Sequence, residues 1–177
     1  MSYVIAISGM PGAGKTTLGK ALAKRLNAKF ASFGEYVRAE ANRLGLGDPS
    51  RADLQNLGLN LIKDPLKFCR GVLDASGYQR GDILIVDGIR HISALEALRS
   101  TVNDQEVKLI YVESPREVRI ARLGNSESTA KVDTHPVESE TELHVKAAAD
   151  LLITAANPED ALEAALDWLK GSGYTNP

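Results

Sequence analysis

The chain alternates short apolar runs with longer stretches in which hydrophobic residues recur every three or four positions. Val4 to Ile7, Ile83 to Val86, Leu109 to Val112 and Leu151 to Ile153 are apolar runs bounded by polar or turn residues. This is the pattern of strands buried on both faces of a parallel sheet. A weaker run at Lys29 to Phe33 adds a fifth strand. Between the first run and this one, Leu18, Leu22 and Leu26 lie four apart on one face of a helix predicted over Thr16 to Leu26. Glu35 to Ser76 reads as two or three helices, interrupted at Gly45 to Ser50 and near Asp64-Pro65, where proline disfavours helix continuation. Further helices fit Ser93 to Ser100, Pro115 to Leu123 and Pro158 to Lys170, the last opening with proline and the acids Glu159 and Asp160 in its first turn. Strands alternating with helices predict a three-layer α/β/α sandwich with right-handed crossovers.

Composition changes this picture little. The 177 residues, 44% hydrophobic and 25% charged, suit one domain with a substantial core. A net charge of -2 lacks the basic surplus of a nucleic-acid-binding domain. Cys69 is the sole cysteine, so neither an intrachain disulfide nor a cysteine-rich zinc site forms, and a small buried apolar role is expected for it. The first residues lead straight into a strand, and no apolar run approaches the ~18 residues of a membrane span. A soluble, cytoplasmic protein is expected. Arg80-Gly81-Asp82 reads as the polar turn delivering the chain into the third strand.

Chemistry enters at Gly9-Met10-Pro11-Gly12-Ala13-Gly14-Lys15-Thr16, which fills G-x-x-x-x-G-K-[ST], the P-loop pattern, at a strand-to-helix junction. Glycines let backbone N–H groups close around phosphate oxygens, Lys15 brings a point charge to the β- and γ-phosphates, and Thr16 offers a hydroxyl to Mg²⁺. The helix that follows adds the positive end of its dipole. Gly9 through Thr16, with Thr17, are therefore the expected ATP-binding residues.

Asp87 follows four apolar residues and is expected at the carboxyl end of a central strand, the Walker B position, where it orients Mg²⁺ or anchors Thr16. Capping of the helix after Gly88 is the alternative. Arg90, three residues on, is suited to bidentate phosphate binding, whereas His91 reads as a loop or helix-start residue.

These motifs resemble the P-loop small-molecule kinases, a group that includes adenylate and other nucleoside monophosphate kinases and dephospho-CoA kinase. The resemblance covers nearly the whole chain. It implies a P-loop NTPase fold with a five-stranded parallel sheet in the order 2-3-1-4-5, a helical acceptor-binding insert over residues 35–76 and a lid-like segment over residues 124–138. In Ser32-Phe33-Gly34-Glu35-Tyr36-Val37-Arg38 it assigns Arg38 to the acceptor's phosphate. Asp87-Gly88-Ile89-Arg90 looks like the family's Asp-Gly-x-x-Arg region, one residue shorter than in adenylate kinase. The segment Ser114 to Leu123 is similar to the helix leading into the lid, which puts Arg122 at the transferring phosphates. Gly124 to Glu138 carries no arginine, so either Arg119 and Arg122 supply the lid's charge or transfer is slow. Thr154 to Asn157 lacks the glycine-containing adenine loop common in dephospho-CoA kinases.

The expected function is Mg²⁺/ATP-dependent phosphoryl transfer to a small molecule, with Lys15, Arg122 and Asp87 in catalysis, Thr16 and Asp87 at the metal, and Glu35, Arg38 and Arg90 at the substrate. Hydroxyl-phosphorylating relatives often carry an aspartate at the end of the second strand, but here Ala31-Ser32-Phe33 stands there, which tilts the acceptor toward a nucleoside or deoxynucleoside monophosphate. Glu35 is either a base for an alcohol or an acidic first-turn residue. Two alternatives stay open: dephospho-CoA kinase-like transfer to a hydroxyl, and a regulatory ATPase that switches toward a protein partner. Asp133, His135 and Glu138 are ligand-capable but read as an ordinary polar loop.

Overall fold

The computed structural model describes residues 2–124, 141–154 and 157–174. Asp133, His135, Glu138 and all but the first residue of the lid-like segment lie outside the described residues. In chain order the elements are β1 (Tyr3–Gly9), α1 (Lys15–Leu26), β2 (Lys29–Ser32), α2 (Phe33–Arg43), α3 (Arg51–Leu61), α4 (Pro65–Ala75), β3 (Leu84–Asp87), α5 (Ile92–Val102), β4 (Glu106–Glu113), α6 (Arg116–Leu123), a π-helical turn (Thr141–Val145), β5 (Leu151–Thr154) and α7 (Pro158–Gly171). The five strands form one parallel sheet in the order β2-β3-β1-β4-β5.

Every residue of β1 is buried, as expected of a strand paired on both edges and covered on both faces. Side-chain alternation divides the core. Val4 and Ala6 join α2, α4 and α5 through Val37, Phe68, Val72, Leu95 and Leu98. Tyr3, Ile5 and Ile7 face α1 and α7 through Leu18, Leu22, Ala165 and Leu169. The helices between Phe33 and Ala75 number three, and each opens on a side-chain cap: Ser32 for α2, a Ser50/Asp53 capping box for α3 and Asp64 before Pro65 for α4. No residue of α3 is fully buried; it packs on α2, with Leu54, Leu57 and Leu61 half-buried against the core. Cys69 is 1% exposed and burial pushes its thiol up to about 11, in keeping with a core role. Among the described residues no helix is long and apolar enough to cross a membrane.

Parallel register sets the strand ends side by side. Ser32 of β2 pairs with Asp87 of β3, which pairs with Ile7 of β1. The carboxyl edge of the sheet therefore collects the chain's first P-loop glycine, the end of the β3 run and the start of α2, as expected of a ligand-binding crevice in an open α/β sheet.

Two expectations follow. Gly9 has φ +146 and an added Cβ would lie 2.3 Å from the Val112 carbonyl oxygen. Gly9→Ala should therefore cost at least about 2 kcal/mol of unfolding free energy in urea titration, through backbone strain and displacement of β4. Because the Cys69 thiolate is a fraction of about one thousandth at pH 8, the folded protein should resist a thiol-reactive disulfide at that pH and react promptly once denatured.

Candidate active site

The loop from Gly9 to Gly14 leaves the sheet between β1 and α1 through backbone that L-residues adopt poorly: Gly12 has φ +80 and Gly14 φ +98. Gly14 occupies the N-cap position of α1 without a side-chain cap, and the first turn of α1 holds no acid. In contrast to α2, α3, α4 and α7, this helix leaves its first N–H groups and its positive end to an outside anion. Lys15 is 9% exposed, and its Nζ donates to the Met10 carbonyl oxygen at 3.3 Å, across the loop mouth.

Thr16 and Asp87 meet at the helix start. The Thr16 hydroxyl donates to Asp87 Oδ2 at 2.6 Å, and Asp87 is 3% exposed. Its other oxygen, Oδ1, is buried with no hydrogen-bond partner. A desolvated carboxylate oxygen without a donor is costly by itself. It suits a hard cation that keeps most of its water and takes one or two protein oxygens, so the donor set fits Mg²⁺. Asp87 does not cap the next helix: α5 begins at Ile92, with His91 in the N-cap position and no side-chain cap.

The corner between β4 and α6 grips the loop from one side. Ser114 Oγ donates to the Ala13 carbonyl at 3.0 Å, Arg122 Nη1 to the Gly12 carbonyl at 2.9 Å, and Arg119 Nη1 to the Pro11 carbonyl at 3.2 Å. Three successive carbonyls are thus held by three side chains. Because C=O and N–H point oppositely across a planar trans peptide, this turns the N–H groups of Gly12 and Gly14 away from α6. Arg119 is buried, whereas Arg122 is exposed at the loop's rim and also donates to Ser114 Oγ at 3.3 Å.

Beside the loop, a cavity of about 520 Å³ opens between α2, α3 and the Gly88–His91 turn. Arg38, Arg51, Arg90 and His91 line it together with Gln55 and, among the described residues, a single carboxylate, Asp48. Phe33 and Phe68, edge to face with centroids 4.9 Å apart, contribute apolar wall.

A family model described as "AAA domain" matches residues 8–143, more than half of the chain. The chain belongs to this family of P-loop proteins. Over 123 residues it is 35% identical to a UPF0200 protein of Pyrobaculum aerophilum, the match taking in 70% of this chain and 66% of that protein. Over 124 residues it is 32% identical to a cytidylate kinase of Ignicoccus hospitalis, taking in 68% of this chain and 62% of that one. The chain thus spans just under two thirds of the length of these relatives. Shikimate kinase from Acinetobacter baumannii, solved in complex with shikimate, matches 99% of this chain and 97% of its own with a TM-score of 0.65 at 15% identity. That likeness shows a kinase-type P-loop fold.

Within this AAA domain the residues singled out in the sequence divide into three groups. Gly9 through Thr17, with Asp87 and Arg122, converge on the loop. Arg38 and Arg90 meet on the cavity wall. Glu35 stands apart from both: it sits in the first turn of α2, about half exposed, 2.9 Å from Lys20, and does not line the cavity. Its helix-start reading is the one the geometry favours. Sequence reasoning left Arg51, Gln55 and Asp48 unassigned and took His91 as a loop or helix-start residue. His91 is indeed the N-cap of α5, but it also faces the cavity. Only the packing of α3 on α2 brings Arg51 and Gln55 to the cavity that Arg38 lines.

The grip on the loop is testable. Arg119→Ala leaves a buried carbonyl unpaired, so it should cost about 1–3 kcal/mol in denaturant unfolding. Hydrogen exchange of the Gly12 and Gly14 amides should accelerate more than that of β1.

Proposed function

We propose that the protein transfers the γ-phosphoryl group of Mg²⁺-bound ATP to a small molecule that itself carries a phosphate, a nucleoside or deoxynucleoside monophosphate. The observation that carries this reading is the cavity at the carboxyl edge of β3, where Arg38, Arg51 and Arg90 share the wall with an apolar stretch that includes Phe33, Phe68 and Leu54. Guanidinium groups pair with phosphate bidentately, and apolar surface suits the flat face of a base. A volume of about 520 Å³ is in the range of small-ligand sites. Similarity to a protein named cytidylate kinase supports the same class.

In the transfer, the bond from the γ-phosphorus to the β,γ-bridging oxygen breaks and its electron pair leaves with ADP. A bond forms from the acceptor's phosphate oxygen to the same phosphorus. That oxygen is already ionised near neutral pH, so no side chain has to remove a proton. The chain's task is alignment and charge compensation. The loop amides and Lys15 hold the polyphosphate. Arg38 and Arg90 hold the acceptor, and Arg122, exposed at the rim between Gly12 and Ser114, would compensate charge on the transferring group. Thr16 and Asp87 are the residues that would hold Mg²⁺, which neutralises charge on the β- and γ-oxygens when bound.

Transfer to an alcohol is a second reading, favoured by one feature. Asp48 is a carboxylate on the cavity wall and a possible proton acceptor. The absence of an aspartate at the end of β2, where Ser32 instead caps α2 by accepting from the Glu35 N–H, favours the phosphate acceptor.

Purified protein given γ-labelled ATP, Mg²⁺ and, separately, AMP, CMP, GMP, UMP, their deoxy forms, dephospho-CoA and shikimate should label a nucleoside monophosphate. Label on dephospho-CoA or shikimate alone would establish the alcohol reading. ATP hydrolysis with no labelled acceptor would overturn both. In the active pair, Arg38→Ala should raise the acceptor KM about 10- to 100-fold through loss of a charge-assisted contact while changing the ATP KM little. Lys15→Ala should abolish transfer with the circular dichroism spectrum retained.

A further inference from the structure

Arg90 sits in a turn without regular structure, between the last residue of β3 and the first of α5, yet its backbone is held at each peptide. The Gly88 and Ile89 N–H groups donate to the Ile7 carbonyl at 3.0 and 3.2 Å. The Ile89 carbonyl accepts from Ser8 Oγ at 2.5 Å, and Ile89 itself is 1% exposed. The His91 carbonyl receives the Ala94 and Leu95 N–H groups that open α5. The carbonyl between them, that of Arg90, accepts from the hydroxyl of Thr141 at 3.0 Å.

Thr141 is fully buried and lies 51 residues away in sequence, at the first position of the π-helical turn. That turn is itself anchored. Val145 is fully buried in the core that covers one sheet face, and Lys146 pairs with Glu113 at the end of β4 while its Nζ lies 5.9 Å from the centre of the Tyr111 ring. Thr141 therefore presents its hydroxyl from a rigid support. Its bond fixes the Arg90–His91 peptide plane, which sets ψ of Arg90 and with it the direction in which the Cα–Cβ bond leaves the turn for the cavity.

We infer that Thr141 is a positioning residue for the acceptor: by holding the Arg90 carbonyl it aims the Arg90 guanidinium into the cavity. This rests on the acceptor reading above. The Thr141 hydroxyl bonds the turn that carries Arg90, on the acceptor side of the sheet edge. Its loss should be felt by the acceptor and not by ATP. Valine keeps the shape and removes the donor, and serine restores it.

Steady-state kinetics of wild type, Thr141→Val, Thr141→Ser, Arg90→Ala and the Thr141→Val/Arg90→Ala pair, with whichever of AMP, CMP, GMP and UMP is turned over best, test it. Thr141→Val should raise the acceptor KM about 3- to 20-fold with the ATP KM within about twofold. Thr141→Ser should return it to near the wild-type value. In the Arg90→Ala background, Thr141→Val should add little, because the group it aims is gone. An unchanged acceptor KM in Thr141→Val, an equal rise for ATP, or full additivity with Arg90→Ala would overturn the inference. If wild type transfers phosphate to none of the four, the acceptor reading is what has been lost. The Arg90 Nε–Hε resonance of labelled protein then decides the positioning role: a shift in Thr141→Val restored in Thr141→Ser supports it, and an unmoved resonance ends it.

Discussion

Parallel pairing of β1 with β3 on one edge and β4 on the other is the constraint from which the site follows. In a parallel sheet all carboxyl ends fall on one side, and the register here sets Ser32 and Asp87 level with Ile7 of β1, with the Gly9–Val112 pair two residues further toward the same edge. Each of these points opens into a segment with polar or charged chemistry: the P-loop, the Gly88–His91 turn, α2 and the corner before α6. Burial of β1 on both faces keeps the register from slipping, because a shift of one residue would exchange Val4 and Ala6 with Tyr3, Ile5 and Ile7 between two cores of different shape.

The second consequence is electrostatic. A chain of net charge -2 gathers Lys15, Arg38, Arg51, Arg90, Arg119 and Arg122 along one edge, where, among the described residues, Asp87 is the buried carboxylate and Asp48 the one lining the cavity. Like charges held this close are a stability cost unless each finds a partner, and several use backbone carbonyls. Arg119, Arg122 and Lys15 all donate to carbonyl oxygens of the loop they surround. The loop is thereby held in shape by the same cationic groups that flank the phosphate site.

The same economy of backbone contacts extends to the acceptor side. Ser8, immediately before the P-loop, holds the Ile89 carbonyl, and Thr141 holds that of Arg90. The two halves of the edge are therefore joined through main-chain atoms of the Gly88–His91 turn, so the distance between the P-loop and the arginines of the cavity is set by rigid elements and not by long side chains. Phosphoryl transfer depends on such alignment more than on any single reactive group.

The sequence alone carried the strands, because continuous apolar runs have few other uses in a chain of this kind, and it carried the helices through their caps and spacing. It also carried the P-loop, Asp87 as a strand-end carboxylate, and Arg38 and Arg90, which lie within a few residues of strand ends and so are placed by local geometry. Glu35 was read both as a substrate residue and as a helix-start acid, and its place in the first turn of α2, away from the cavity lining, fits the second. Arg51, Gln55, Asp48, Ser114 and Thr141 were not legible, since what matters in them is a contact with residues tens of positions away, and periodicity is silent on which distant surface a helix covers. Strand order was available only through the family resemblance, whose 2-3-1-4-5 the structure has: apolar runs say that strands are buried, and it is the packing of α1 and α7 on one face against α2, α4 and α5 on the other that decides which strands are neighbours, and hence which loops share an edge.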